Sequence, residues 1–184
     1  LIELECISDP AQLQETAIRT RDILKEWFPG NLRGNAFYSD AAVIIMEIVN
    51  NSIEHSVRNY AEEPGKCYFT TQCFQYQNNY QPNVVIAFGD PGMGIRNSLQ
   101  RTNEWVPNSD AYAIKKALFE GVTSRVDGSG GLGLKSIVEL LERYGGAITV
   151  RSGYSAVYYA PKTQQLKVKK YRESIVGTQT SIVF

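Results

Sequence analysis

Glu47, Asn51 and His55 stand at i, i+4 and i+8, so on a helix an acid, an amide and the only histidine of the chain share one polar row. Around them Val43, Ile44, Ile45, Met46, Ile48, Val49, Ile53 and Val57 make the stretch apolar nearly all round, as in an element buried in a core. Acids and amides in such a place need partners. Either the row is the solvent face of an amphipathic helix, or a ligand with a metal ion supplies those partners. The helix alone leaves both open.

Two further stretches carry chemistry. Residues 84–88 are continuously apolar and run into Gly89-Asp-Pro-Gly-Met-Gly94. Gly92 and Gly94 permit backbone conformations and close approaches that a side chain forbids. Asp90 leaves the carboxyl end of the strand as a single carboxylate, placed to accept a hydrogen bond from a ligand amine; a tight turn with a helper Asp is the plain alternative. Later, Gly121, Gly128, Gly130, Gly131 and Gly133 lead into an amphipathic helix over 134–144. A helix amino terminus offers unpaired N–H groups and a positive dipole end, so glycines opening onto it make a phosphate site.

Gly128, Gly130 and Gly133 satisfy G-x-G-x-x-G, yet no strand immediately precedes them and they do not open a βαβ unit. A Walker loop needs Gly-Lys-Ser in succession, whereas Leu134 separates Gly133 from Lys135. One histidine and scattered acids offer no ligand cluster for a metal hydrolase.

The elements that must position these residues follow from pattern. Residues 1–7 alternate apolar and acidic residues, which predicts a short strand, and Ser8-Asp9-Pro10 starts a helix reaching about Phe28. Ser39 or Asp40 caps the second helix, which runs to about Tyr60. Residues 66–76 read as a strand and 84–88 as a strand buried on both faces. Residues 95–108 look like an excursion over the surface, and Ser109 or Asp110 caps a helix over 111–119. After Gly145-Gly146, four antiparallel strands are expected at 147–152, 156–160, 166–171 and 178–184, with turns at Ser152-Gly153 and at 161–164. Lys162, Lys167, Lys169 and Lys170 read as the solvated edge of a hairpin.

The chain of 184 residues fits one domain, 43% apolar and 21% charged. Nineteen basic and nineteen acidic residues cancel, which removes the electrostatic argument for nucleic acid or an anionic membrane as partner. No apolar run spans a bilayer and no stretch reads as a signal peptide. Cys6, Cys67 and Cys73 have no metal-type spacing and read as reduced, which suits a cytoplasmic location.

Taken in order, an Asn-bearing helix, Asp-Pro-Gly-Met-Gly after a strand, Gly-Gly-Leu-Gly-Leu opening a helix and Gly177-Thr178 resemble the ATP-binding domain shared by gyrase, the Hsp90 chaperones, sensor histidine kinases and the MutL proteins, the GHKL superfamily. The resemblance runs from about residue 37 to the end. It implies an α+β fold, a two-layer α/β sandwich of the Bergerat type: a mixed, mainly antiparallel sheet with helices on one face. Residues 1–36 would add a strand and helix to a motif-bearing core over 37–184, with a lid over about 96–129.

The resemblance also implies ATP and Mg2+ as cofactors. It assigns Asn51 to the magnesium ion bridging the phosphates and Asp90 to the adenine amine, with Gly92 and Gly94 shaping the base pocket. Gly130, Gly131, Leu132, Gly133 and Leu134 would hold the phosphates, and Thr178 would help fix the adenine. Glu47 matches the general base of hydrolysing members, a group that orients and deprotonates the attacking water or hydroxyl. His55 is then structural, and Arg125 a solvated lid arginine. Ser52 departs from the small apolar residue usual after the asparagine. With no dimerising helix pair bearing a phosphoacceptor histidine, the chain looks like a free-standing kinase module, such as the anti-sigma serine kinases, or a detached histidine kinase catalytic domain. The expected activity is phosphorylation of a separate protein on histidine or serine, the chain acting alone or as a dimer. A nucleotide switch driven by hydrolysis and a non-catalytic partner-binding module are the alternatives.

Overall fold

The period-two pattern at the start of the chain becomes an edge strand, β1 (Ile2–Ile7), whose Ile2 and Ile7 are fully buried. Asp9 then caps α1 (Pro10–Trp27): its Oδ1 accepts from the N–H groups of Ala11 at 2.9 Å and Gln12 at 3.0 Å, and Pro10 sits where no N–H is needed. The computed structural model describes residues 2–28, 36–56, 65–74, 83–102, 107–122 and 132–184. The remaining elements are α2 (Ala36–Ser56), β2 (Cys67–Phe74), β3 (Asn83–Asp90), α3 (Ile95–Thr102), α4 (Asp110–Phe119), α5 (Leu132–Tyr144), β4 (Ala147–Ala160) and β5 (Gln165–Val183).

The five strands form one sheet in the order β1-β2-β3-β5-β4, and every pair is antiparallel, so no parallel pair occurs among the described residues. The helices cover one face, which gives the two-layer sandwich that the sequence implies. Val84, Ile86 and Phe88 of β3 point into the helix layer and are buried, whereas Val85 and Ala87 are half-buried on the other face. Burial of β3 on both faces, expected from its unbroken apolar run, is therefore corrected to burial on one. Each fully buried aliphatic side chain contributes about 1.5–3 kcal/mol to this core.

α2 starts earlier than its polar residues suggest. Residues 36–38 are already helical, and Phe37 among them is fully buried, with ring centroids 5.1 Å from both Tyr144 and Phe184. Ser39 and Asp40 thus lie inside the helix and cap nothing; Asp40 instead accepts from Arg143 at 2.9 Å and from the Tyr144 hydroxyl at 2.7 Å, fastening α2 to the end of α5. The helix is also less greasy in its setting than in its composition, since Val43 and Met46 are exposed opposite Ala41, Ile45, Ile48 and Val49.

Residues 95–102 are helical rather than a surface excursion. Ile95 and Leu99, one turn apart, turn towards the core and are enough to hold α3 there, Leu99 being buried. α4, capped by Ser109, buries Ala113, Ile114, Ala117 and Leu118. Within the stretch expected as a lid, this helix is thus part of the core; residues 103–106 and 123–131 lie outside the described residues.

β4 and β5 are single long strands where four short ones were expected. β4 runs through Ser152-Gly153 without turning, and the irregularity falls on β5: Thr178 pairs with Ser152, Ile175 with Gly153 and Lys170 with Ser155, so residues 171–177 bulge. Gly153 has φ +59, and a Cβ there would lie 2.6 Å from an oxygen of Asp110, which accepts from Tyr154 N at 2.8 Å. The hairpin turn falls at Pro161–Thr163, as expected, with Gln164 in the left-handed region.

Candidate functional site

The carboxyl end of β3 is the centre of the site. Antiparallel pairing sets Asp90 opposite Thr178 of β5, and Thr178 opposite Ser152 of β4, so three strands bring one residue each to the same level. The chain then turns out of the sheet through Pro91-Gly92, and Gly92 N–H donates to Asp90 Oδ1 at 2.8 Å. Thr178 N–H also donates to this carboxylate.

Backbones crowd here more closely than side chains would allow. Gly177 has φ +77, and a Cβ on it would lie 1.8 Å from the carbonyl oxygen of Asp90 and 3.0 Å from Gly92 N. Gly94 has φ +80, and its Cβ would come within 2.8 Å of Ser152 Oγ and 3.2 Å of Gly177 O. Ser152, buried between them, accepts from Ile95 N–H at 3.0 Å and donates to Gly177 O at 3.2 Å. One hydroxyl thereby joins the start of α3 to the middle of β5.

Asp90 itself is half-buried, and burial pushes its carboxyl up to about 6, with the hydrogen bonds from Gly92 and Thr178 pulling part of the way back. At neutral pH it is chiefly a carboxylate, an acceptor in partly apolar surroundings. Beside it lies Cys67, whose buried thiol is pushed up to about 12, first by burial, and whose immediate surroundings include the Ser52 hydroxyl, the Asp90 charge and the Gly89 backbone. Ser52 lowers the thiol through a hydrogen bond. The turn of α2 that carries Asn51 and Ser52 therefore reaches the same corner of the molecule as Asp90.

The predicted site residues can be placed on this frame. Asp90, Gly92, Gly94 and Thr178 come together at the end of β3. Thr178 sits within β5 rather than at the start of a last strand. Asn51 lies one helical turn beyond Glu47, which is exposed; the side chains of Asn51 and His55 are outside what is described. α5 begins at Leu132, so Leu132, Gly133 and Leu134 form its first turn, with Gly133 buried and α5 packed beside α2. Gly130, Gly131 and Arg125 lie outside the described residues. Ser152 and Gly177 were missed as parts of the site: the Gly-Thr pair hinted at Gly177, whereas Ser152 lies in an ordinary strand pattern that carried no signal.

Among the described residues no group of three or more histidine, cysteine, aspartate or glutamate side chains could hold a metal. No helix of the described residues is long and apolar enough to cross a membrane. A model of the family described as histidine kinase-, DNA gyrase B- and HSP90-like ATPase matches residues 39–183. No curated protein matches the chain.

Proposed function

Because the chain belongs to this ATPase family and is an ATP-binding domain of its type, we propose that it is a magnesium-dependent kinase module that phosphorylates a separate protein on histidine or serine. The observation that carries the adenine site is Asp90, a half-buried carboxylate at a strand end, beside Gly177 and Gly94, whose Cβ atoms would meet the Asp90 carbonyl oxygen and the Ser152 hydroxyl. An acceptor in that setting gains most from a ligand that donates, and the exocyclic amine of adenine does so. Gly92 and Gly94 keep the wall thin enough for a flat base, and Thr178, across from Asp90, holds its other polar edge.

Phosphates would extend from there towards Gly130, Gly131 and the first turn of α5, where the N–H groups of Leu132, Gly133 and Leu134 lead a helix dipole. Asn51 is the one protein ligand assigned to Mg2+, an ion that keeps several waters and takes its other ligands from phosphate. When bound, magnesium would neutralise charge on the phosphates. Glu47, exposed one turn before Asn51, would hold the attacking hydroxyl or imidazole and take its proton.

Calorimetric titration with a non-hydrolysable ATP analogue, with and without magnesium, tests the reading. Magnesium-dependent binding retained in Glu47→Ala, with loss of ATP turnover in that variant, is the expected result. No binding by the folded wild-type chain would refute it. ADP release without any protein acceptor would favour a hydrolytic switch over a kinase.

A further inference from the structure

The β4–β5 hairpin carries a strand edge that the ATP site does not use. Residues 178–183 of β5 lie between β3 and β4, but β3 stops at Asp90, and residues 165–170 pair with β4 alone. Among the described residues no strand pairs with their other edge. Such an edge is a row of N–H and C=O groups that accepts another strand, and proteins ordinarily blunt it with proline, by keeping it short or with lysines, which repel a like-charged strand but attract an acidic one. β5 spans 19 residues without a proline, and its bulge at 171–177 lies at the base of the arm rather than along it.

The side chains on this arm have a definite character. Leu166 and Val168 share one face and are 42% and 43% exposed. Lys167 and Lys169 share the other, their ammonium groups 5.7 Å and 4.8 Å from the rings of Tyr158 and Tyr171, which hold them along the strand. Residues 161–176 contain Lys162, Lys167, Lys169, Lys170 and Arg172 against Glu173 alone, a net +4 in a chain whose formal charge is zero. A second copy presenting the same edge would meet five cations with five cations.

We propose that this edge receives an extended acidic segment of a separate partner protein, alternating carboxylate and apolar side chains, as an added strand. Six residues match the length of an ordinary strand, and the carboxylates would lie over Lys167 and Lys169 while the apolar positions cover Leu166 and Val168. β5 continues from this arm through 171–177 to Thr178, so the arm and the proposed nucleotide pocket share one strand.

The probe is a fluorescent peptide of alternating glutamate and valine, tested by anisotropy on the nucleotide-free chain, so the result does not depend on ATP binding. The expected result is saturable binding, weakened about tenfold or more by the combined Lys167→Glu, Lys169→Glu and Lys170→Glu variant, with slowed amide exchange over 165–170. An N-methylated peptide, which cannot pair its backbone, should fail to bind. Equal binding of that peptide would overturn strand addition, as would absence of binding by the plain one. Tighter binding of a single-stranded oligonucleotide would replace the proposed partner with nucleic acid, and concentration-dependent self-association through β5 in sedimentation would replace it with a second copy.

Discussion

Replacing Asp90 by asparagine should make the protein more stable while weakening its hold on the adenine nucleotide proposed to bind there. Burial raises this carboxyl from 3.8 to about 6. A gap of about two pH units, at about 1.4 kcal/mol each, means that keeping Asp90 ionised in the folded state costs about 3 kcal/mol at neutral pH. Asparagine removes that cost and keeps an oxygen for Gly92 N–H; the charge on the hydrogen bonds from Gly92 and Thr178 is already counted in the net rise to about 6. The net expectation is a gain of up to about 3 kcal/mol. Its pH dependence has a definite sign. An acid whose folded value is raised binds its proton more tightly when folded, so its stabilising contribution is complete below 3.8 and disappears as pH rises through about 6. The advantage of Asp90→Asn is therefore full at about pH 7 and shrinks as pH falls towards about 4. Urea unfolding followed by circular dichroism at the two pH values measures it, and titration with an ATP analogue at neutral pH should show binding weakened at least about tenfold. A variant less stable than wild type at neutral pH, or a gap independent of pH, would refute the account of a desolvated, functionally retained carboxylate.

Other expectations follow from the same corner of the molecule. Gly177→Ala places a Cβ 1.8 Å from the Asp90 carbonyl oxygen at φ +77, and should cost more than about 3 kcal/mol; an unchanged urea midpoint would show that β5 can move away from β3. Ser152→Ala removes both bonds that join Ile95 to Gly177 and should lower stability by about 1–3 kcal/mol, read as a shift of the same midpoint. In native-state alkylation followed by peptide mapping, Cys6, which is exposed, should react first and the buried Cys67 last. Early modification of Cys67 would show that the pocket wall opens.

Much of this architecture can be read from local chemistry. Asp9-Pro10 and Ser109 cap helices where their types say they should, and the alternation in residues 2–7 produces an edge strand. What local pattern hides is whatever tertiary contact decides. Ser39 and Asp40 are good caps, yet residues 36–38, with the buried ring of Phe37, are already helical before them. α3 has only Ile95 and Leu99 to mark it, too few for a periodic signal. Val85 and Ala87 are apolar without being enclosed, because the sheet has helices on one side only. In the candidate site, Asp90, Gly92 and Gly94 stand out in the sequence because strand ends and glycines have few uses, whereas Thr178 is singled out only by the family resemblance; the structure brings the four together. Ser152 does not stand out, since nothing in a strand announces that its hydroxyl will bridge two other segments.

The sheet order has a consequence for how the protein is made. β3 and β4 are separated by one strand, and that strand is β5, which follows both of them in sequence. During synthesis β3 emerges early and waits with its inner edge open until more than seventy residues later β5 arrives to cover it. Asp90 has no Thr178 opposite it, and Ser152 no Gly177 carbonyl to hold, before that insertion. The pocket proposed for the nucleotide is therefore complete only once β5 has been inserted between β3 and β4, and a ligand seated in it would select chains in which that insertion has taken place.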